Sequence, residues 1–123
     1  MRLKEYIQTK RIIADGAFGT YYMSLYGDGS KPEKGLAVSN LPELANITAP
    51  ERVVGIHTEY IEAGAQLIRT NTFASNTKSL LSDTEAVKEN IRAAVACAKT
   101  AAEKAEHEIY IAGDIGPIPV EGV

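Results

Sequence analysis

The sequence predicts an α/β fold built on a parallel sheet. Three observations carry the prediction: short β-branched apolar runs bounded by turn residues, helical periodicity between them, and polar or glycine-containing residues directly after each run. The runs lie at residues 11–14, 66–70 and 108–112. None alternates cleanly between polar and apolar, as expected of strands covered on both faces.

The first run leads into residues 20–25, read as a short helix with Tyr21, Tyr22 and Tyr26 as packing residues. Residues 24–46 carry Gly27, Gly29, Pro32 and Gly35 in a polar surround and read as a long loop. Loops of that length inside compact domains are usually functional or mobile elements. A helix over residues 49–63 follows. Thr48 and Glu51 have capping-box spacing, and Pro50 suits a first turn, where its missing N–H is not needed. Val53, His57, Tyr60 and Ile61 share one face, and Gly64 is placed to close the helix in a left-handed conformation.

Ser82 and Glu85 form a second capping-box pair, opening a helix over residues 83–106. Its apolar face is Val87, Ile91, Ala94, Val95, Ala98, Ala101, Ala102 and Ala105. The order is strand, loop, helix, strand, helix, strand. It implies βαβ units with right-handed crossovers, in either a doubly wound sheet or a (β/α)8 barrel.

A chain of 123 residues with 45% hydrophobic residues can form one domain with a real core. The net charge of −3, without a Lys/Arg run, argues against nucleic-acid and anionic-membrane partners. No apolar stretch approaches the roughly 20 residues that cross a bilayer, and the first residues carry no signal-peptide core. The single cysteine, Cys97, excludes an internal disulfide and a cysteine-based metal site. A soluble, cytoplasmic chain is expected.

In parallel α/β folds the carboxyl ends of the strands open on one rim, where ligands bind. The candidate rim segments are Asp15-Gly16-Ala17-Phe18-Gly19-Thr20, Asn71-Thr72-Phe73 and Gly113-Asp114-Ile115-Gly116-Pro117. A carboxylate at Asp15 can bind an amine while loop N–H groups face an anion. Asp and Gly are equally the residues of a tight turn, Asn71 and Thr72 of backbone caps, and Asp114 of a turn before Pro117. The first segment has neither the Lys of a phosphate loop nor GxGxxG spacing. His57 and His107 lack partners of zinc spacing and read as packed or surface residues, and Cys97 as a buried inert thiol. Asn46-Ile47-Thr48 matches a glycosylation sequon, which is empty without secretion.

Together these segments resemble the homocysteine S-methyltransferase domain family. Asp15-Gly16-Ala17-Phe18-Gly19-Thr20 is similar to that family's DGAMGT opening, with Phe18 in place of the usual Met. The likeness continues through Glu43-Leu44-Ala45-Asn46-Ile47-Thr48-Ala49-Pro50-Glu51. It is strongest from His57 and Tyr60, through Ala63-Gly64-Ala65, to Ile68, Thr70-Asn71-Thr72-Phe73 and Asn76. Ile115-Gly116-Pro117 resembles the IGP after the third strand. The closest likeness is to the methyltransferase half of bacterial enzymes that fuse this domain to a methylenetetrahydrofolate reductase.

The resemblance implies a (β/α)8 barrel that methylates a zinc-bound homocysteine thiolate to methionine. A full barrel needs roughly 250 residues, so residues 1–123 are expected to be its N-terminal fragment, with three strands, and to be inactive alone. The family's zinc is held by three cysteines, two in a GGCC motif. Neither they nor a catalytic residue is in this sequence, so they are expected beyond Val123. The methyl donor would be methyltetrahydrofolate or a methylsulfonium compound, with FAD in any fused reductase. By the same resemblance Asp15 pairs with the substrate α-ammonium, backbone groups of Gly16, Ala17 and Phe18 take its carboxylate, and Asn71 and Thr72 complete the wall. Exposed sheet edges would favour self-association. A standalone α/β module binding an amino acid or a partner protein is the alternative.

Overall fold

The computed structural model describes residues 2–27 and 41–120. The elements along the chain are α1 (Leu3–Thr9), α2 (Gly19–Tyr26), a 3₁₀ turn at Pro42–Leu44, α3 (Ala45–Thr48), α4 (Pro50–Glu62), β1 (Leu67–Arg69), α5 (Thr77–Leu80), α6 (Thr84–Glu103) and β2 (Tyr110–Ala112).

β1 and β2 pair in parallel, with Leu67 opposite Tyr110, Ile68 opposite Ile111 and Arg69 opposite Ala112. The strand expected at residues 11–14 does not form in full. That run touches β1 through a single parallel bridge, Ala14 to Leu67, so the sheet among the described residues has two strands. The reason is local. Gln66 N–H and Leu67 N–H both go to the Ile13 carbonyl, and Ile13 N–H is taken by the Gln66 side chain rather than by backbone. Ile13 itself is 61% exposed.

The two long helices form where periodicity places them. α4 and α6 pack on each other over β1, and small residues permit the close approach: Ala94, Ala98 and Ala101 of α6 are buried to the backbone. One cluster joins Ile61, Ala65 and Ile68 to Ala98 and Ala101, and a second joins Ala45, Ala49 and Val53 to Cys97. Gly64 closes α4 at φ +115°, as its position predicts.

The helix starts differ from expectation. Asp83, not Ser82, caps α6, accepting from Ala86 N–H at 2.8 Å. Thr48 turns back to the Leu44 carbonyl at 3.0 Å, so α4 begins at Pro50 with Ala49 at its N-cap position and no side-chain cap. On α6 the buried face carries Asn90, while Ile91 is exposed. Parts of the expected loop 24–46 are helical: residues 24–26 end α2, and the 3₁₀ turn and α3 begin at Pro42. Residues 28–40 of that loop lie outside the described residues. α1 and α5 lack the long periodicity that flags a helix. α1 is tied to the sheet by Tyr6, whose ring lies 5.8 Å from that of Tyr110 and whose hydroxyl accepts from Gln66 at 3.1 Å.

Candidate functional site at the strand ends

The segments after the first run, β1 and β2 converge on one cleft of about 700 Å³. Asp15, Ala17 and Phe18 line it from the first segment, Asn71 and Thr72 from the second, and Asp114 from the third. Gly16 sits just behind, packed against Tyr60. A Cβ there would lie 3.1 Å from the Tyr60 hydroxyl, which itself donates to the Ala17 carbonyl at 2.6 Å. That bond pins the turn to α4.

Asp15 is the centre of the first segment, and it is already engaged. Its Oδ1 accepts from Arg69 Nε at 3.0 Å and its Oδ2 from the Arg69 backbone N–H at 3.1 Å. Arg69 Nη2 also reaches the Gly16 carbonyl at 3.0 Å. The Asp15 side chain is 1% exposed and that of Arg69 45%, so the carboxylate is interior and the guanidinium stands at the opening. A charged residue ending an otherwise apolar strand was the available signal for Arg69.

Asn71 and Thr72 face the cleft with their polar groups committed to the protein. Asn71 Nδ2 donates to the Pro42 carbonyl at 3.0 Å and to Asn46 Oδ1 at 3.1 Å. Thr72 Oγ1 donates to the Asp114 carbonyl at 2.7 Å, and Thr70 Oγ1 accepts from Asp114 N–H at 3.2 Å. These contacts hold the third segment to β1. They are the capping roles that Asn and Thr serve near turns.

Beneath the cleft runs a buried polar network that the sequence patterns do not flag. Asn46 Nδ2 donates to the Asn71 carbonyl at 2.8 Å, and Asn90 Nδ2 to the Glu43 carbonyl at 2.9 Å. Ser75 donates to Asn90 Oδ1 at 2.7 Å. Asn46 of the sequon is therefore an interior residue. Glu43 lines the cleft, with Oε1 accepting from Ala74 N–H at 3.1 Å, whereas its buried Oε2 has no hydrogen-bond partner among the described residues. Burial pushes the Glu43 carboxyl above its usual range, and the negative charge of Asp114 adds to the rise.

His57 is fully buried, with its ring 5.0 Å from that of Phe18. Burial lowers its pKa to about 4 against the opposing pull of Asp15, and neither ring nitrogen has a partner among the described residues. His107 lies elsewhere, near the Ala65 carbonyl. Cys97 is also away from the cleft, its Sγ 3.8 Å from the Pro50 carbonyl and its thiol pushed up by burial. No group of three or more His, Cys, Asp or Glu able to hold a metal occurs among the described residues. None of the helices there is long and apolar enough to cross a membrane.

The family profile for homocysteine S-methyltransferase matches residues 12–120. The methionine synthase of Mycobacterium leprae is 30% identical over 122 residues, and that of Mycobacterium tuberculosis 28% identical over 121 residues. Each alignment covers 94% of this chain and 10% of the relative, so the chain spans about a tenth of those proteins. The crystal structure of the homocysteine methyltransferase MmuM from Escherichia coli, in its metallated form, superposes with a TM-score of 0.68 at 20% identity. That superposition covers 94% of this chain and 41% of the solved one. With a profile match running from the first strand segment past the third, the chain belongs to the homocysteine S-methyltransferase family.

Proposed function

We propose that this chain is the substrate-gripping part of a homocysteine S-methyltransferase, the N-terminal portion of a (β/α)8 barrel. The observation that carries the reading is the convergence of the three strand-end segments, all within the matched residues, on one cleft. Asp15, Gly16, Ala17, Phe18, Asn71 and Thr72 form the wall that holds the amino-acid end of homocysteine. The sequential neighbours Ala14, β1 and β2 also suit a barrel, in which consecutive parallel strands lie side by side.

Methyl transfer needs the homocysteine sulfur as a thiolate, and zinc coordination supplies that in this family. The described residues do not fit the metal, since Cys97 is buried on α6 away from the cleft. What this chain contributes is binding and orientation: a turn pinned by Tyr60, a guanidinium fixed by Asp15, and a third segment tied down by Thr70 and Thr72.

The test is methionine formation from homocysteine and a methyl donor by a polypeptide that extends this chain through the rest of the barrel. Alongside it, amide shifts at Gly16, Ala17 and Phe18 are followed as homocysteine is added to the chain. Methionine production with shifts confined to the cleft is expected. Absence of both would overturn the reading in favour of an unrelated binding module.

A further inference from the structure

Glu43 carries the one buried carboxyl oxygen without a hydrogen-bond partner among the described residues, and it lines the cleft. The residues around it set its place. The 3₁₀ turn Pro42–Leu44 brings its side chain to Ala74, whose N–H binds Oε1 at 3.1 Å. Asn90 Nδ2 holds the Glu43 carbonyl at 2.9 Å, and Asn71 Nδ2 holds the neighbouring Pro42 carbonyl at 3.0 Å. The carboxyl is thereby fixed at the wall of the cleft, with Oε2 closed to water and short of one hydrogen bond. Such a group takes a proton more readily than a solvated carboxylate does. Burial and the nearby charge of Asp114 raise its pKa accordingly.

The methyl transfer proposed above has a proton to place. A thiol of pKa about 8.5 is mostly protonated at neutral pH, and only the thiolate is a good nucleophile. The S–H bond breaks, and the sulfur's electron pair forms the bond to the methyl carbon. The bond from that carbon to the donor heteroatom breaks, its electron pair staying with the donor. The thiol proton needs an acceptor in the cleft whose pKa is drawn toward the working pH. Asp15 is not free for this, because both its oxygens already accept from Arg69. His57 is buried and unpartnered too, but it does not line the cleft, and a pKa of about 4 makes it a weak acceptor. Asp114 lines the cleft but is only half-buried.

We propose that Glu43 is the general base of the cleft, taking the proton of the homocysteine thiol onto its carboxyl as the sulfur becomes the nucleophile. The proton then passes to the demethylated donor or to water, which returns the carboxylate. This rests on the homocysteine reading given above, and adds a reacting group to the binding and orientation assigned there.

The test uses the polypeptide that extends this chain through the rest of the barrel, as wild type, Glu43→Gln and Glu43→Asp. Methyltetrahydrofolate and S-methylmethionine are offered as donors. A single turnover is timed with homocysteine and with its selenium analogue, whose selenol is already ionised at neutral pH and needs no base. Glu43→Gln is expected to slow transfer to homocysteine about a hundredfold or more, with little change in substrate affinity. Its transfer to the selenol should stay close to the wild-type rate. Glu43→Asp recovers part of the loss. In the isotope-labelled wild type, the carboxyl carbon resonance of Glu43 should move to its protonated position when homocysteine is added. It should stay in place with methionine, which has no thiol proton to give.

Equal slowing with both substrates would overturn the proposal, because a merely structural residue acts on both alike. So would an undiminished rate with homocysteine in Glu43→Gln. If that variant fails to fold, the wild-type resonance decides, and a carboxyl that ignores homocysteine overturns the proposal. Methionine formed by wild type without dependence on Glu43 removes this assignment alone. A wild type that neither makes methionine nor binds homocysteine removes the homocysteine reading, and the general base with it.

Discussion

Asn46 Nδ2 lies 3.1 Å from Asn90 Oδ1, a hydrogen bond between buried side chains that joins α3 to α6 across 44 positions of sequence. Asn90 also donates to the Glu43 carbonyl and accepts from Ser75, so one amide ties together the 3₁₀ turn, α3, α6 and the segment after β1. The floor of the cleft is thus held by polar bonds where a hydrophobic core would ordinarily serve. Such bonds are directional and fix position more tightly than apolar contact does.

Asn90→Ala leaves the Glu43 carbonyl and the Asn46 amide each short of a buried partner. The cost of stranding such groups is about 1–3 kcal/mol each. Urea unfolding is expected to show a lower midpoint, with amide shifts reaching Asn71 on the cleft. A surface-like response, within a few tenths of a kcal/mol, would mean that the network contributes little.

His57 makes stability depend on pH in a definite direction. Its pKa is about 4 in the fold against 6.5 unfolded, so between those values the unfolded chain binds the extra proton. Stability is complete above the unfolded value and falls as pH drops toward the folded one. A gap of this size corresponds to at most about 3 kcal/mol. The raised carboxyl of Glu43 acts in the opposite sense, because the folded state holds its proton more tightly. The measurement is therefore the difference between wild type and His57→Leu from about pH 7 to about pH 5. Wild type should lose stability relative to the variant on acidification, and parallel curves would remove His57 from the account.

Gly116 is a close-approach glycine. A Cβ there would run into the Phe73 carbonyl and crowd the Phe73 ring, so the third segment must shift to accept any side chain. Gly116→Ala is expected to cost about 1–3 kcal/mol and to disturb the Thr72 to Asp114 bond, visible as a changed Asp114 amide resonance. Gly113→Ala, where nothing lies within reach, is the matched control and should be nearly neutral.

The sheet's surroundings predict association. Ile115 is 95% exposed, Val120 64% and Ile13 61%, and the sheet among the described residues has only two strands. Exposed apolar side chains beside so small a sheet favour contact between chains. Light scattering on the purified chain should show species above monomer mass that grow with concentration. Ile13→Lys with Ile115→Lys should shift the distribution toward monomer, and an unchanged monodisperse monomer would contradict this.

Repeating apolar positions made α4 and α6 legible in the sequence, because a helix buries a face that recurs with its own turn. The β-branched composition of residues 66–70 and 108–112 likewise marks two real strands, and the polar segments after them do share a rim. Helix caps were legible only to within a residue or so, since neighbouring Ser, Thr and Asp compete for the same orphan N–H groups.

Other features depended on contacts between distant positions. Asp15 and Arg69 are 54 residues apart, and no local pattern says that the carboxylate will be spent on the guanidinium at the next strand end. Nor does local sequence say that residues 11–14 pair with β1 through one bridge, or that Asn90 faces inward while Ile91 faces solvent. The physical reason is the same in each case. Periodicity reports which side of an element is apolar, whereas partner choice for a charge, an amide or a strand edge is set by what the folded chain brings within about 3 Å of it.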